Sequence, residues 1–178
     1  MRALGPGSVS SFLKIILDVV YYALWIGLGA LGVVTVLAVL LTFNPALLEN
    51  VDVKVIVVDG VDLARPWPLL TGGLAAAGLY IGGVLLIVRA LRRIFATLTA
   101  GDPFHPDNVR RLRVIGLILA GLELGRYLFW MISASMPAVK EVDSDFNLTA
   151  WFSVLVVFVL AEVFREGARL RREAELTI

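Results

Sequence analysis

The sequence predicts an all-α integral membrane protein with four transmembrane helices, both termini cytoplasmic, and a small β-cap formed by the outer loops. First, the 178 residues are 59% apolar and 17% charged, whereas a soluble domain carries about 25% charge. Second, the mean hydropathy is +0.88, and the apolar residues gather into four long blocks. Third, Lys and Arg concentrate on one side of those blocks. These observations exclude an ordinary soluble domain and a disordered chain.

The rest of the composition excludes several classes of function. The net charge is +1, so no basic field for direct nucleic-acid binding is present. The absence of cysteine excludes disulfides, thiolate metal sites and cysteine nucleophiles. A single histidine, His105, excludes a multi-histidine metal or haem site within one chain. We therefore expect no enzyme activity, no catalytic residues, no cofactor and no bound metal.

The first two spans are long uncharged runs. Val19 to Leu48 contains thirty residues without a charge, and the proline at Asn44–Pro45 stops the helix. Pro66 to Val88 gives twenty-three more. About 20 residues cross the ~30 Å hydrocarbon core. We therefore predict spans at about 15–43 and 67–90.

The third and fourth spans contain or border charges. Val114 to Val139 is apolar except for Glu123 and Arg126, and Phe146 to Ala161 is a shorter run of sixteen residues. The helix of this fourth run should continue through Glu162, because the apolar residues Val163 and Phe164 follow. The predicted spans are 112–136 and 146–166.

The orientation follows from the positive flanks, since cytoplasmic flanks retain Lys and Arg. One side of the membrane receives twelve such residues and the other only three, Lys54, Arg65 and Lys140. The twelve are Arg2, Lys14, Arg89, Arg92, Arg93, Arg110, Arg111, Arg113, Arg165, Arg169, Arg171 and Arg172. We therefore place the link 91–111 and a C-terminal helix 166–178 in the cytoplasm, with outer loops at 44–66 and 137–145.

The outer loops contain a strand signal. Residues 51–58 alternate at first and are mostly β-branched, Asp59–Gly60 is a hairpin turn, and residues 61–63 follow. Residues 138–143 can add another short strand. We predict a cap of two or three strands, with an extended loop as the alternative.

Three glycine patterns are candidates for close helix packing. Gly27–Gly32 matches G-x-G-x-x-G, but it lies within a span and lacks the preceding strand that a dinucleotide site requires. Gly78–Gly82 and Gly121–Gly125 are G-x-x-x-G pairs. Small residues four apart allow helix backbones to approach in lipid, so we interpret all three as packing positions. The sequence does not decide between packing within one chain and packing between chains, and we favour the former.

The cytoplasmic link is the most structured polar segment. Apolar residues at helical spacing, from Leu91 to Leu98, predict that span two continues as an amphipathic helix until Gly101. With Pro106 as the first helical residue, His105 is the predicted cap; Asp107 and Asn108 remain alternatives. The candidate site residues of the link are Asp102, Pro103, Phe104, Pro106, Asn108, Arg110 and Arg111.

Charged residues within and beside the spans are further candidates. Glu123 and Arg126 stand three apart near mid-membrane, where an isolated charge is costly, so we predict that they pair inside the bundle. A hydroxyl such as Tyr80 or Tyr127, or trapped water, would complete the pair. The inner-interface candidates are Asp18, Arg89, Arg92, Glu162 and Arg165. We expect Asp18 to contact one of these cations.

The C-terminal stretch has the charge pattern of a solvated helix. Arg169–Glu173 and Arg171–Glu175 stand four apart, and Glu166–Arg169 three apart. Such a helix is either a plain terminus or a docking element for a soluble partner.

Two segments, 95–116 and 160–178, resemble the YoaS-like family of bacterial four-span membrane proteins, a domain of unknown function numbered 2975. The resemblance extends over nearly the whole chain. It implies a bacterial cytoplasmic (inner) membrane protein with no catalytic residues to carry over. Members are commonly encoded beside a small helix-turn-helix regulator, which suggests a protein that binds or restrains such a regulator.

Two functions compete at this point. The first is a regulatory or scaffolding membrane protein that holds a soluble cytoplasmic partner such as a helix-turn-helix regulator. The alternative is a small transporter or oligomeric channel that uses Glu123 and Arg126. Both place the chain in the lipid bilayer, and a homo-oligomer is compatible with either.

Overall fold

The chain folds into four long helices, with one very short strand pair between the first and the second. The computed structural model describes residues 9–43, 57–58, 61–62, 67–134 and 146–176. The elements are α1 (Val9–Phe43), β1 (Val57–Val58), β2 (Val61–Asp62), α2 (Trp67–Thr99), α3 (Pro106–Ala134) and α4 (Leu148–Leu176). All four helices are long and apolar enough to cross a membrane, so this is a multi-pass membrane protein.

Each helix is longer than a bilayer requires. The helices contain 35, 33, 29 and 29 residues, which correspond to about 43–52 Å at ~1.5 Å per residue. The hydrocarbon core is only ~30 Å thick. α2, α3 and α4 carry clustered arginines where α2 ends, α3 begins and α4 finishes. We call this the arginine-rich end, and the surplus helix length of α2, α3 and α4 lies there.

The helices form an open row rather than a closed bundle. Within the described residues, backbone contacts within 8 Å join α1 to α2, α2 to α3 and α3 to α4, and no other helix pair. Large apolar side chains are exposed along all four helices, among them Ile26, Leu79, Leu117 and Phe152. In lipid such side chains are solvated by acyl chains, so an open row does not carry the cost that it would carry in water.

The best-packed region is close to the arginine-rich end. Ile94 of α2, Leu112 and Ile115 of α3, and Ala161 of α4 form a buried cluster. Surrounding apolar side chains from the same three helices complete it. This cluster fixes α2, α3 and α4 relative to one another next to the link.

Both helix ends at the link have the predicted local structure. Gly101 has a φ of 83°, which favours glycine, and it follows the last turn of α2. Its N–H donates to the carbonyl of Leu98, and the N–H of Asp102 donates to that of Thr97, which is a Schellman motif. The Nδ1 atom of His105 accepts from the N–H of Asp107 at 3.2 Å. His105 is therefore the N-cap of α3, and the prediction for both ends is confirmed.

The glycine patterns predicted as packing positions do not serve that purpose within the described part of the chain. A Cβ atom added at Gly27, Gly82 or Gly121 would meet nothing within 4 Å among the described residues. Added at Gly78, it would make only an ordinary contact with Leu31. The same open space surrounds Gly29, Gly32 and Gly125. Among the described residues, packing within the chain is therefore absent at these glycines, apart from the Gly78–Leu31 contact.

Three other glycines do permit close approach. A Cβ atom at Gly83 would lie 2.7 Å from the side chain of Leu122, and one at Gly116 would lie 3.0 Å from Phe158. At Gly167 it would lie within 2.6 Å of the Phe104 ring. These positions bring α2 to α3, α3 to α4, and the link to α4.

The described part of the segment between α1 and α2 contains one antiparallel strand pair. Val57 pairs with Asp62 and Val58 with Val61, which leaves two residues between the strands, as the Asp59–Gly60 signal predicts. The rest of the predicted first strand, residues 51–56, and the predicted additional strand at 138–143 lie outside the described residues.

Candidate functional site

The link is organised around Asn108, whose exposed fraction is 0%. Its side-chain amide donates to Thr97 Oγ1 at 2.7 Å and to the carbonyl of Pro103 at 3.1 Å. Its Oδ1 atom accepts from the guanidinium of Arg111 at 2.9 Å. One side chain therefore ties together the end of α2, the turn and the first turn of α3. Asn108 is a buried hub rather than the helix cap, which was one of the sequence alternatives.

Two contacts fix the link to α4. The Phe104 ring lies against the backbone of Gly167 and 5.8 Å from the ring of Phe164, centroid to centroid. Arg171 forms an ion pair with Asp102 across 69 residues of sequence. The charged extension of α4 is thus bound to the link, and its Phe164 contacts this chain's own Phe104.

The arginines near the link have different partners. Arg111 also donates to the carbonyl of Arg93 at 3.2 Å, which joins α3 to α2. Glu162 lies between Arg113 of α3, at 3.8 Å, and Arg165 of α4. Arg110 is exposed and forms no ion pair with any residue that the structure describes. The sequence predicted that these side chains lie in one region, and the structure shows that each of them has different contacts there.

A groove lies between the start of α3 and the last turns of α4, and we call it the link–α4 groove. Its volume is about 490 Å³. Pro106, Val109 and Ala168 supply apolar surface, and Arg165, Arg169 and Arg172 supply positive charge. Glu166 is the acidic residue of its lining. The groove combines apolar and cationic surface next to the rigid link.

The predicted contact of Asp18 is present. Arg92 Nε lies 2.6 Å from Asp18 Oδ1, so the two charges join α1 to α2. The guanidinium carbon of Arg92 also lies 4.3 Å from the centroid of the Tyr21 ring, a cation–π distance. Arg89 lies near this pair, in a groove between α1 and α2, and has no ion-pair partner among the described residues.

The predicted intramembrane pair is also present. Arg126 Nη2 lies 2.6 Å from Glu123 Oε1, and its Nε donates to the other carboxylate oxygen at 3.3 Å. The Arg126 guanidinium carbon lies 4.8 Å from the Tyr127 ring centroid. The Tyr127 hydroxyl accepts from the N–H of Asn147 at 3.2 Å, so the pair is connected to the N-cap of α4.

The interior location predicted for this pair is correct for one member only. The Glu123 side chain is 11% exposed, whereas that of Arg126 is 44% exposed. Arg126 lines an open crevice of about 490 Å³ between the N-terminal half of α2 and the C-terminal half of α3. Because the row is open, the face of α3 that carries Arg126 is left uncovered by the described residues.

Sequence reasoning could not bring the link and α4 together, because they are sixty residues apart and share no periodicity. Gly167 was the available signal, since a glycine inside a charged helix suggests a close approach. The lining of the link–α4 groove was likewise unforeseen as a unit, although Pro106 and Arg165 were singled out.

Comparison with protein families finds one match: residues 61–178 fit the model of a protein of unknown function, DUF2975. The match covers β2, α2, α3 and α4, together with the link and the link–α4 groove. The comparisons with curated proteins and with solved structures found no match.

Proposed function

This chain belongs to the DUF2975 family of proteins of unknown function, and on that premise we propose that it is a regulatory or scaffolding protein of the bacterial cytoplasmic membrane. Its partner is a soluble cytoplasmic protein, such as a small helix-turn-helix regulator, held at the arginine-rich end. The function is binding without catalysis, in keeping with a sequence that has no cysteine and one histidine.

The proposal rests on one observation: the link and the helix ends beside it form a connected assembly at the arginine-rich end. The last turns of α2, the link, the first turn of α3 and the last turns of α4 are joined through Asn108, Phe104 and the Arg171–Asp102 pair. A helix end that merely follows a membrane span would not need a buried, hydrogen-bonded side chain such as Asn108 or an ion pair between distant segments. Such an assembly offers a pre-organised surface, which lowers the entropy cost of binding.

The orientation in this proposal follows the positive-inside rule. Both termini and the link face the cytoplasm, because twelve of the Lys and Arg residues flank that side and three flank the other. The strand pair at Val57–Val58 and Val61–Asp62 then belongs to a small cap on the outer surface, at the far end from the partner.

The link–α4 groove supports a partner segment with an acidic and an apolar face. Arg165 is paired with Glu162, and Arg169 lies 2.7 Å from Glu166. Arg172 forms no ion pair with any described residue. An acidic partner residue would therefore gain most from Arg172, and an apolar one would cover Val109 and Ala168.

The experiment is capture, by the full-length protein in detergent, of a small helix-turn-helix regulator of the type that is commonly encoded beside members of the family. We expect retention at micromolar concentration. Arg172→Glu should weaken it at least about tenfold, because one attractive charge becomes repulsive. Arg110→Glu makes the same charge change at the same end outside the groove and should leave the affinity within about twofold.

The outcomes of this experiment are distinct. Lack of retention at micromolar concentration would contradict the regulator as partner. Equal loss from Arg172→Glu and Arg110→Glu would show that general charge, and not the groove, carries the binding. Phe104→Ala should also weaken capture, since it releases the link from Gly167.

A second candidate function is a small transporter or oligomeric channel that uses Glu123 and Arg126. The observation in its favour is the half-exposed Arg126 at the wall of the α2–α3 crevice, since ionisable residues within spans commonly serve transport. The existing pair with Glu123 weighs against it, because pairing removes the free charge. Proton and potassium flux in proteoliposomes tests it, and transport would require a flux that Glu123→Gln abolishes.

A further inference from the structure

A second groove at the arginine-rich end lies between α1 and α2, separate from the link–α4 groove. It has a volume of about 300 Å³ and presents four cations and one carboxylate. The charged residues that line it are Lys14, Asp18, Arg89, Arg92 and Arg93. Asp18 pairs with Arg92. The other three cations form no ion pair with any residue within the described ranges, so the groove has a net charge of +3.

Uncompensated cations of this kind favour an anion with several oxygen atoms. Lys14 comes from α1, whereas Arg89 and Arg93 come from α2 one turn apart, so the charges surround the groove from two helices. Guanidinium and ammonium groups donate charge-assisted hydrogen bonds to phosphate oxygens. The charge and the donor set together fit a phosphate group.

Arg92 is already held in place within this groove. Asp18 contacts its Nε atom at 2.6 Å, and the Tyr21 ring lies 4.3 Å from its guanidinium carbon. Asp18 therefore neutralises Arg92, and Lys14, Arg89 and Arg93 remain to contact an anion.

The surroundings identify the source of the phosphate. Val88, the last residue of the uncharged run of α2, directly precedes Arg89, so the groove lies at the border of the hydrocarbon core. Two half-exposed apolar side chains continue the groove's own faces: Trp25 of α1, which contacts Tyr21 edge to face, and Leu86 of α2, three residues before Arg89. Cations next to exposed apolar side chains match a ligand with an anionic head and acyl chains.

We propose that the α1–α2 groove is a binding site for the headgroup of an anionic phospholipid. The phosphate contacts Lys14, Arg89 and Arg93, and the acyl chains run along Trp25 and Leu86. The site is independent of the proposed partner surface, with which it shares no lining residue.

The test measures lipid binding to the full-length protein in detergent by native mass spectrometry. The probes are short-chain phosphatidylglycerol, phosphatidylcholine of the same chain length, and inorganic phosphate. We expect phosphatidylglycerol to bind at least about tenfold more tightly than either of the others. Each interfacial charge contributes about fivefold in affinity. Arg89→Gln combined with Arg93→Gln should therefore weaken binding about 25-fold.

Two further variants separate this site from general charge effects. Arg110→Gln combined with Arg172→Gln removes the same charge from the same end, outside the groove, and should change the affinity less than twofold. Asp18→Asn removes the carboxylate of the groove and should tighten phosphatidylglycerol binding about fivefold. A misfolded variant would not bind the lipid more tightly, so this result is informative even if the arginine variants are unstable.

Each contrary outcome overturns the proposal. Equal binding of phosphatidylcholine would show that the negative charge is not recognised. Inorganic phosphate binding as tightly as phosphatidylglycerol would show an anion site that is not a lipid site. Equal weakening by the two double variants, or weaker binding after Asp18→Asn, would place the lipid elsewhere.

Discussion

A single buried polar side chain organises the link. Asn108 satisfies the Thr97 hydroxyl, the Pro103 carbonyl and Arg111 at once. A buried amide is costly unless it is hydrogen-bonded, and a fully satisfied one selects a single arrangement of its neighbours. The hub thereby fixes the angle at which α2 passes into α3.

Replacing this hub should destabilise the protein. Asn108→Ala leaves the half-buried Pro103 carbonyl and Thr97 hydroxyl without their donor, which costs about 1–3 kcal/mol. Thermal unfolding in detergent should show a Tm about 3–8 °C lower. Asp107→Ala, at the exposed neighbouring position, is the matched control and should change Tm by less than half as much. A Tm unchanged by Asn108→Ala would contradict the hub role.

The intramembrane pair allows a second residue-scale prediction. Glu123 is the buried member and Arg126 the half-exposed one. The charge that is left unpaired is therefore buried when Arg126 is removed and half-exposed when Glu123 is removed. Arg126→Leu leaves a buried carboxylate without its partner and should lower Tm by at least about 5 °C. Glu123→Ala should cost less, because Arg126 can extend into the crevice.

The double variant completes this cycle. Glu123→Ala combined with Arg126→Leu removes both charges and should restore most of the Tm lost in the worse single variant. Thermal unfolding of the three variants in one detergent is the measurement. Additive losses would show that the two side chains do not act as a pair.

At the scale of elements, close approach at Gly167 joins the link to α4. The Phe104 ring occupies the space of a Cβ atom there, and the Arg171–Asp102 pair lies one turn further along α4. α4 would otherwise leave the membrane as an unsupported charged helix held by its own Arg–Glu pairs, which are individually weak at a surface.

Gly167→Ala should release the link from α4. A Cβ atom at 2.5 Å from the Phe104 ring cannot be accommodated without moving that ring. Hydrogen exchange of the link amides should become faster, and Tm should fall by a few degrees. Gly121→Ala is the matched control, since its Cβ atom would meet no described atom within 4 Å and alanine favours a helix. Equal exchange in both variants would contradict the contact.

At the scale of the whole molecule, the four helices are held unequally. The buried cluster of Ile94, Leu112, Ile115 and Ala161 joins three helices near the arginine-rich end, whereas the crevice separates the N-terminal half of α2 from the C-terminal half of α3. α1 is attached to α2 alone among the described helices. The arginine-rich end is therefore the rigid end, which is consistent with its proposed role as a docking surface.

The proposed orientation gives a prediction for the whole chain. Because the sequence lacks cysteine, a single introduced cysteine reports its own position. A membrane-impermeant maleimide applied to intact spheroplasts should label Lys54→Cys and should leave Ala100→Cys and Glu173→Cys unlabelled. Permeabilised cells should label all three, which is the control for reactivity. The reverse pattern in intact spheroplasts would invert the topology.

The sequence by itself determined the four membrane helices, the end of α2 at Gly101, an arginine contact for Asp18 and the Glu123–Arg126 pair. These features depend on composition, on local capping and on spacing along one helix or depth in the membrane, all of which are written in consecutive residues. The sequence left open which arginine contacts Asp18 and whether His105, Asp107 or Asn108 caps α3.

Only the tertiary structure decided which faces of the helices meet. The glycine pairs predicted as contacts face open space, whereas Gly83, Gly116 and Gly167 make the close approaches. In lipid nearly every face is apolar, so hydrophobic periodicity does not distinguish a packed face from a lipid-exposed one. That choice of faces produces the open row of helices, the half-exposed Arg126 and the link–α4 groove.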